Sequence, residues 1–390
     1  TMETVVCDIT AFDYWRIPPL VHLLLAGEGD DVALRKITSS DQLQALRAEV
    51  VAGLPLCARY LGTNSHTRTM GRVAKQLLPI VPLLAAGHED AVDVLAGRHC
   101  KCYESDLLRT HLWSRNLPVG STLELYEDVR IISPELLMLC LAGRASLAHT
   151  VMMASELCGS FAVYDPPAPI RAFLQRILDS GKKIPVVQGW KPYIDASGKL
   201  GTLWSRPPLT SPGKLTSFAA DSDLKKGTSR LVRAASLVKE GAASPFEVQT
   251  AVLLGFPRRM GGYGIGGFVA NGKVPLNVGG KALSLKSCCY CDLFWEEQGI
   301  DVECQSAMVH QNADSFLSDS ERTTALKGMG IDVLPLTFDQ LKDASRFDCF
   351  VNVLAKSLGL SLRPRTEAMM EAASRLRCEV LIDWEFVHHV

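Results

Sequence analysis

The 390 residues exceed what a single hydrophobic core usually serves, so two or three domains are expected. Apolar residues at 47% and charged residues at 21% describe an ordinary globular chain and argue against a disordered one. A formal net charge of -1 excludes a globally basic nucleic-acid binder, so any phosphate-binding surface must be local.

Thr1 precedes Met2 and reads as an extraneous first residue. There is no secretory signal and no apolar run long enough for a membrane span, and the twelve cysteines are scattered. These features predict reduced thiols in a cytoplasmic protein with no membrane partner. In chain order, residues 3–9 read as a strand, and Asp8 to Arg16 as a strand passing through an N-cap into a short helix. Residues 20–25 and 42–54 carry helical apolar spacing. Residues 69–84 form a further expected helix, with His66 ahead of it and Arg68, Arg72 and Lys75 near one another. That basic face suits either phosphate or solvent.

His99 with Cys100-x-Cys102, and Cys288-Cys289-x-Cys291, lack the separated C-x2-C pairs of structural zinc, so buried thiols are expected instead. Residues 123–132 suggest a strand. Ser133-Pro134-Glu135 then caps a helix over 136–147, and the region from Leu139 to Cys158 is too apolar to be peripheral. Residues 1–175 are therefore expected to form an N-terminal mixed α/β domain.

Residues 176–239 are the expected linker and helical connector. Gly181, Gly198, Pro207-Pro208 and Pro212-Gly213 punctuate its first part too densely for a long regular element, and helices follow over 214–220 and 226–239. Ser244 and Pro245 open another helix over 245–254, carrying Glu247. The glycine loop from Gly261 to Gly267 lacks the Lys-Ser/Thr of a P-loop and precedes a strand, which leaves a tightly turning or mobile loop.

Residues 288–305 read as a β-hairpin around Glu296-Glu297-Gln298-Gly299. With those four as the loop, Trp295 faces Ile300 and Asp292 faces Glu303. Alternation then puts Gln305 on the acidic face, with Leu293, Cys291, Val302 and Cys304 on the other. Opposed carboxylates about 5 Å apart repel unless a cation sits between them. Solvent-facing acids are the plain alternative, and a one-residue register slip would separate the pair. A helix over 313–330 and a strand over 331–336 follow.

The order of helix with Glu247, strand, strand with Asp292, strand with Glu303-x-Gln305, helix, strand, helix resembles the PD-(D/E)xK nuclease superfamily, in particular its compact branch related to very-short-patch-repair endonucleases. Asp292 matches the acid of the second strand, Glu303 the acid of the (D/E)xK tripeptide, Gln305 its third position and Glu247 the acid of the first helix. Asp319, Arg322, Leu326 and residues 330–341 are similar to that branch's closing helix and strand. The resemblance covers about residues 240–345 and departs from most members at Gln305, where they carry Lys.

It implies a restriction-endonuclease-like αβββαβα core within residues 240–390 of an overall mixed α/β (α+β) protein. It also implies Mg2+ or Mn2+ held by Asp292, Glu303 and Glu247, and DNA hydrolysis in phage defence or repair, with Gln305 orienting water. His310 is either a water-activating group or structural. Arg230, Arg233, Arg258 and Arg259 are the expected phosphate contacts, and Arg322 is either a phosphate contact or a structural partner for Asp319. Thr10-Ala11 and residues 129–141 resemble, more distantly, abortive-infection type IV antitoxins. A catalytically impaired DNA-binding or antitoxin-like regulator, or a structural assembly protein, remains open beside the nuclease, as does a homodimer or partner protein.

Overall fold

Strand pairing organises the chain into three sheets, known from a computed structural model that describes residues 3–27, 31–62, 71–87, 90–96, 104–284, 287–305 and 313–388. The result is a mixed α/β fold. None of the described helices is long and apolar enough to cross a membrane.

The first sheet holds β1 (Thr4–Val6), β2 (Val92–Ala96), β3 (Leu108–Leu112), β4 (Thr122–Tyr126) and β5 (Val129–Ile132) in the order β3-β2-β1-β5-β4. The strand expected over 3–9 stops at Val6, because Cys7 takes the N-cap position of the helix Asp8–Tyr14. Residues 123–132 are not one strand but a tight hairpin. Asp128 adopts φ +54°, a left-handed conformation that Asp tolerates, and so reverses the chain between β4 and β5.

Ser133 caps the next helix by accepting from the Leu136 amide, as expected, but that helix spans only Pro134–Ala142. Ser146 caps a separate helix, Leu147–Cys158, whose residues are buried almost throughout. The basic helix expected over 69–84 is also divided. Its described part runs Gly71–Leu77, and Pro79 and Pro82 impose a 3-10 turn and a new helix, Val81–Gly87. His66, Arg68, His99, Cys100 and Cys102 lie outside the described residues.

The stretch read as a linker contributes regular structure. β7 (Lys191–Ile194) and β8 (Leu200–Ser205) form a hairpin, and β8 pairs antiparallel with β6 (Phe161–Val163) in the order β6-β8-β7. Of the residues that suggested a linker, Gly198 lies at φ +81° in the β7 to β8 turn, Gly181 follows the end of the helix Ala168–Asp179, and Pro212 and Gly213 open the helix Pro212–Asp221.

The third sheet has the order β12-β11-β10-β9, from β9 (Val269–Pro275), β10 (Cys288–Trp295), β11 (Ile300–Gln305) and β12 (Asp332–Thr337). β9, β10 and β11 run antiparallel in sequence, and β12 joins β11 in parallel. A short helix, Val278–Ser284, interrupts the β9 to β10 connection. One face of the sheet, through Leu293, Trp295, Val302 and Leu336, packs on the helix Pro245–Gly255 and joins the main core. The other face, through Cys289, Cys291 and Phe294, meets Ala325 and Leu326 of the helix Ala313–Gly328.

The C-terminal turn returns to the N-terminal region through buried charge. Arg16 donates to both carboxylate oxygens of Glu156, at 2.9 and 2.7 Å, and to the carbonyls of Trp384 and Glu385. Trp384 Nε1 also donates to Glu156 Oε2 at 2.6 Å. Arg16 is only 4% exposed and Glu156 is fully buried, so each neutralises the charge of the other.

Candidate functional site

The hairpin has the register expected from its loop. Trp295 faces Ile300 and Leu293 faces Val302, with Gly299 at φ +63° closing the turn. Beyond Leu293 the ladder lapses, and Asp292 is absent from its paired positions with both β11 and β9.

Packing shows how the pleat is broken. Cys291 and Phe294 both contact the Arg322 helix side although they are three residues apart, and on β9 Ala270 and Val274 face opposite sides although they are four apart. Strict alternation forbids both. The cause is Asn271 on β9, held at φ +48°, which turns the strand over at the position opposite Asp292. The expected division into one acidic and one apolar face is therefore corrected. Cys291 packs on the side opposite Leu293, and Asp292 sits where the ladder is open. Its Oδ2 accepts from the Cys304 amide at 2.8 Å, replacing a backbone acceptor.

Glu247 reaches this opening from the other helix. Ser244 accepts from the Glu247 amide, and the Ser244 hydroxyl donates to Glu247 Oε1 at 2.8 Å. The Ala243 amide and Asn271 Nδ2 both donate to Oε2 at 2.8 Å. An acid in the first turn also suits the helix N-terminus. The same Asn271 that breaks the pleat thus helps orient Glu247.

Glu303 is engaged differently. Arg322 grips it with both terminal nitrogens, Nη1 on Oε1 and Nη2 on Oε2, and also donates to the Tyr290 carbonyl. Arg322 was expected either to contact phosphate or to pair with Asp319, and its carboxylate partner is Glu303. Arg322 lies three and four residues before Ala325 and Leu326, so burial of those two turns it toward the sheet.

A fourth acid, Asp301, shares the Glu303 face by alternation. It is fully buried, and its Oδ2 lies 3.7 Å from Arg322 Nη2. The hairpin register offered the signal for it, two residues before Glu303 on one strand, yet only Glu303 and Gln305 were singled out there. Gln305 ends β11, paired with Thr337. His310 lies outside the described residues.

Asp292, Asp301 and Glu303 share the field of one guanidinium, Arg322, while Glu247 interacts with Asp292 and Glu303 from its own helix. Burial, with the field of Glu303, pushes Glu247 up to about 7 against three hydrogen bonds that oppose the shift. Burial and the charges of Glu247 and Glu303 raise Asp292 well above the usual carboxylate range, and burial with Glu303 and Asp292 pushes Asp301 up to about 8. Such shifts mark excess negative charge held out of water.

The remaining basic residues divide. Arg230 donates to the carbonyls of Ala142 and Ala145 at 2.7 Å, and Arg258 to those of Arg363 and Pro364, so both brace backbone. Arg233, beside Met260, and Arg259 are exposed.

A second cluster escaped the sequence reading. Among the described residues, Asp8, Asp93 and His111 form the group whose ligand atoms all lie within 4.8 Å of one another, and Glu247, Asp292 and Glu303 are not drawn that close. Strand pairing brings the trio together, since β2 lies between β1 and β3, and no spacing in the chain signals it. His111 Nε2 lies 2.7 Å from Asp93 Oδ1 and Nδ1 lies 3.4 Å from Asp8 Oδ2, beside a cavity of about 360 Å3. Arg144 holds both oxygens of Asp8, and Arg109 lies 3.4 Å from Asp93. Two guanidinium groups already balance two carboxylates, so this cluster is a closed ion-pair network, in contrast to the acid-rich sheet site. No family model matches the chain, and no curated protein or solved structure matches it.

Proposed function

We propose that the chain is a metal-dependent phosphodiesterase acting on DNA, with Glu247, Asp292 and Glu303 as the groups that hold the cation. The observation that carries this reading is the charge imbalance. Asp292, Asp301 and Glu303 share a single guanidinium, Glu247 adds a fourth acid that interacts with Asp292 and Glu303, and burial works against the ionised form of three of the four. A divalent cation relieves that imbalance, and carboxylate oxygens are the donors that Mg2+ and Mn2+ prefer. Apart from the short helix Val278–Ser284 between β9 and β10, the helix, three strands, helix and strand from Glu247 to β12 are in keeping with the order implied by the PD-(D/E)xK resemblance.

Such an ion, when bound, lowers the pKa of an attacking water and neutralises charge on the phosphate. The chain's own residues do the positioning. Three donors orient Glu247, and the Cys304 amide fixes Asp292. The Gln305 amide orients water or a phosphate oxygen without adding charge. Arg322 supplies the positive charge that a Lys at position 305 would bring, and Arg233 and Arg259 offer exposed contacts for the DNA backbone.

A second reading, a DNA-binding or antitoxin-like regulator without catalysis, is favoured by the grip of Arg322 on Glu303. Incubation with supercoiled, linear and single-stranded DNA plus Mg2+ or Mn2+ separates the two. Cleavage lost in both Asp292→Ala and Glu303→Ala supports the nuclease. Salt-sensitive binding without cleavage, indifferent to metal, supports the regulator.

A further inference from the structure

Asp301 is the anomalous group of the acidic site. It is fully buried, and among the described residues its carboxylate has no backbone, hydroxyl or amide donor, only the weak Cys291 thiol. Its cationic neighbour Arg322 stands 3.7 Å away, too far for a hydrogen bond. A buried carboxylate with only a thiol for a donor is costly, so one that serves only the packing of a sheet would be better replaced by an apolar residue.

Arg322, meanwhile, is fully committed to Glu303 and the Tyr290 carbonyl. One guanidinium therefore lies between two carboxylates on the same strand face, gripping the first and a short step from the second. Closing the gap to Asp301 to a normal hydrogen-bond length requires a movement of about 1 Å. A side chain 17% exposed at the site's rim makes that movement by rotamer adjustment, without moving its helix.

We propose that Arg322 is a displaceable counter-cation with two berths: it holds Glu303 until a divalent cation takes that carboxylate, and it then crosses to Asp301. The proposal rests on the metal-binding reading above and adds its regulation. Arg322 keeps the acids from repelling one another before the ion arrives, and competes with the ion for Glu303. Asp301 lowers the cost of that exchange by receiving the displaced charge. Asp301 receives the guanidinium as a carboxylate, any proton it carries passing to solvent, and the rest is an exchange of ion-pair partners.

Calorimetric titration of the full chain with Mn2+ alone, without nucleic acid, tests it in four proteins: wild type, Arg322→Gln, Asp301→Asn and the double variant. Removing the competitor should tighten Mn2+ binding by about tenfold, and removing the second berth should weaken it by about as much. In the double variant the loss caused by Asp301→Asn should shrink several-fold, because there is no guanidinium left to receive. Weaker binding by Arg322→Gln, or an Asp301→Asn loss of equal size with and without Arg322, overturns the exchange while leaving the metal site standing. Absence of Mn2+ binding in all four removes the metal site itself and the exchange with it.

Should Arg322→Gln fail to fold, the wild type still decides. The Arg322 Nε–H resonance, assigned by its loss in Arg322→Lys, should move as Mg2+ saturates the site. A resonance unmoved at saturation refutes the exchange.

Discussion

Replacing Glu247 with Gln gives the acidic site a quantitative test that does not depend on activity. Glu247 titrates at about 7 in the folded chain, against 4.5 for an unperturbed Glu. A carboxyl whose folded pKa is raised binds its proton more tightly in the folded state. Its contribution is thus most favourable below pH 4.5 and is lost as pH rises through 7. At pH 8 the shift amounts to an order-of-magnitude cost of about 3 kcal/mol, since each pKa unit is about 1.4 kcal/mol.

Gln keeps the shape and the same three partners, with the Ser244 bond reversed. Its carbonyl accepts from the Ala243 amide and Asn271, as Oε2 does now, and its amide donates to the Ser244 hydroxyl, which has a lone pair to spare. In urea denaturation with a chelator present, Glu247→Gln should be more stable than wild type by up to about 3 kcal/mol at pH 8, with the difference vanishing near pH 4.5. A difference that is the same at both pH values, or a loss at pH 8, would falsify the claim that charge at this position strains the fold.

Three further outcomes follow from the same structure. Arg16→Met should destabilise by about 3 to 5 kcal/mol, because Glu156 is left charged and buried, and chemical denaturation reads the loss. Gly261→Ala should cost at least about 2 kcal/mol by the same measurement, since Gly261 sits at φ +98° and an added Cβ would meet the Ala372 carbonyl oxygen at 2.3 Å. The hydrogen bond to Asp93 raises His111, against burial and with help from Asp8, so its stabilisation is complete below pH 6.5 and fades as pH climbs through the folded value. Unfolding midpoints of wild type and His111→Gln should therefore converge at alkaline pH, and parallel profiles would refute that assignment.

Local chemistry was the legible part of this fold. The Glu296 to Gly299 loop set the hairpin register, and Ser133 and Ser244 marked their helix starts through the amides three residues on. What stayed hidden depends on tertiary contacts. Alternation was extended through Asp292 because a non-glycine residue at positive φ gives no sequence signal, and Asn271 takes that conformation while its side chain bridges Gly241 and Glu247. β7 and β8 went unread because turn residues report where a chain bends and say nothing about what short strands between the bends pair with.

The acidic site shows the same division. Glu247, Asp292 and Glu303 could be named from their elements, but the partner of Glu303 could not, since Arg322 stands 19 residues away on a helix whose facing is set by packing. Asp301 was missed although the strand period placed it beside Glu303. Its significance lies in the want of any donor stronger than a thiol, which only coordinates reveal.

Crystals of the full chain soaked in Mn2+, with anomalous difference maps recorded at the manganese edge, put the central claim most directly at risk. The account predicts a peak bounded by Glu247, Asp292 and Glu303, with the Arg322 guanidinium withdrawn from Glu303. A peak beside Asp8 and His111 instead, or an acidic site without manganese and Arg322 still on Glu303, would contradict it.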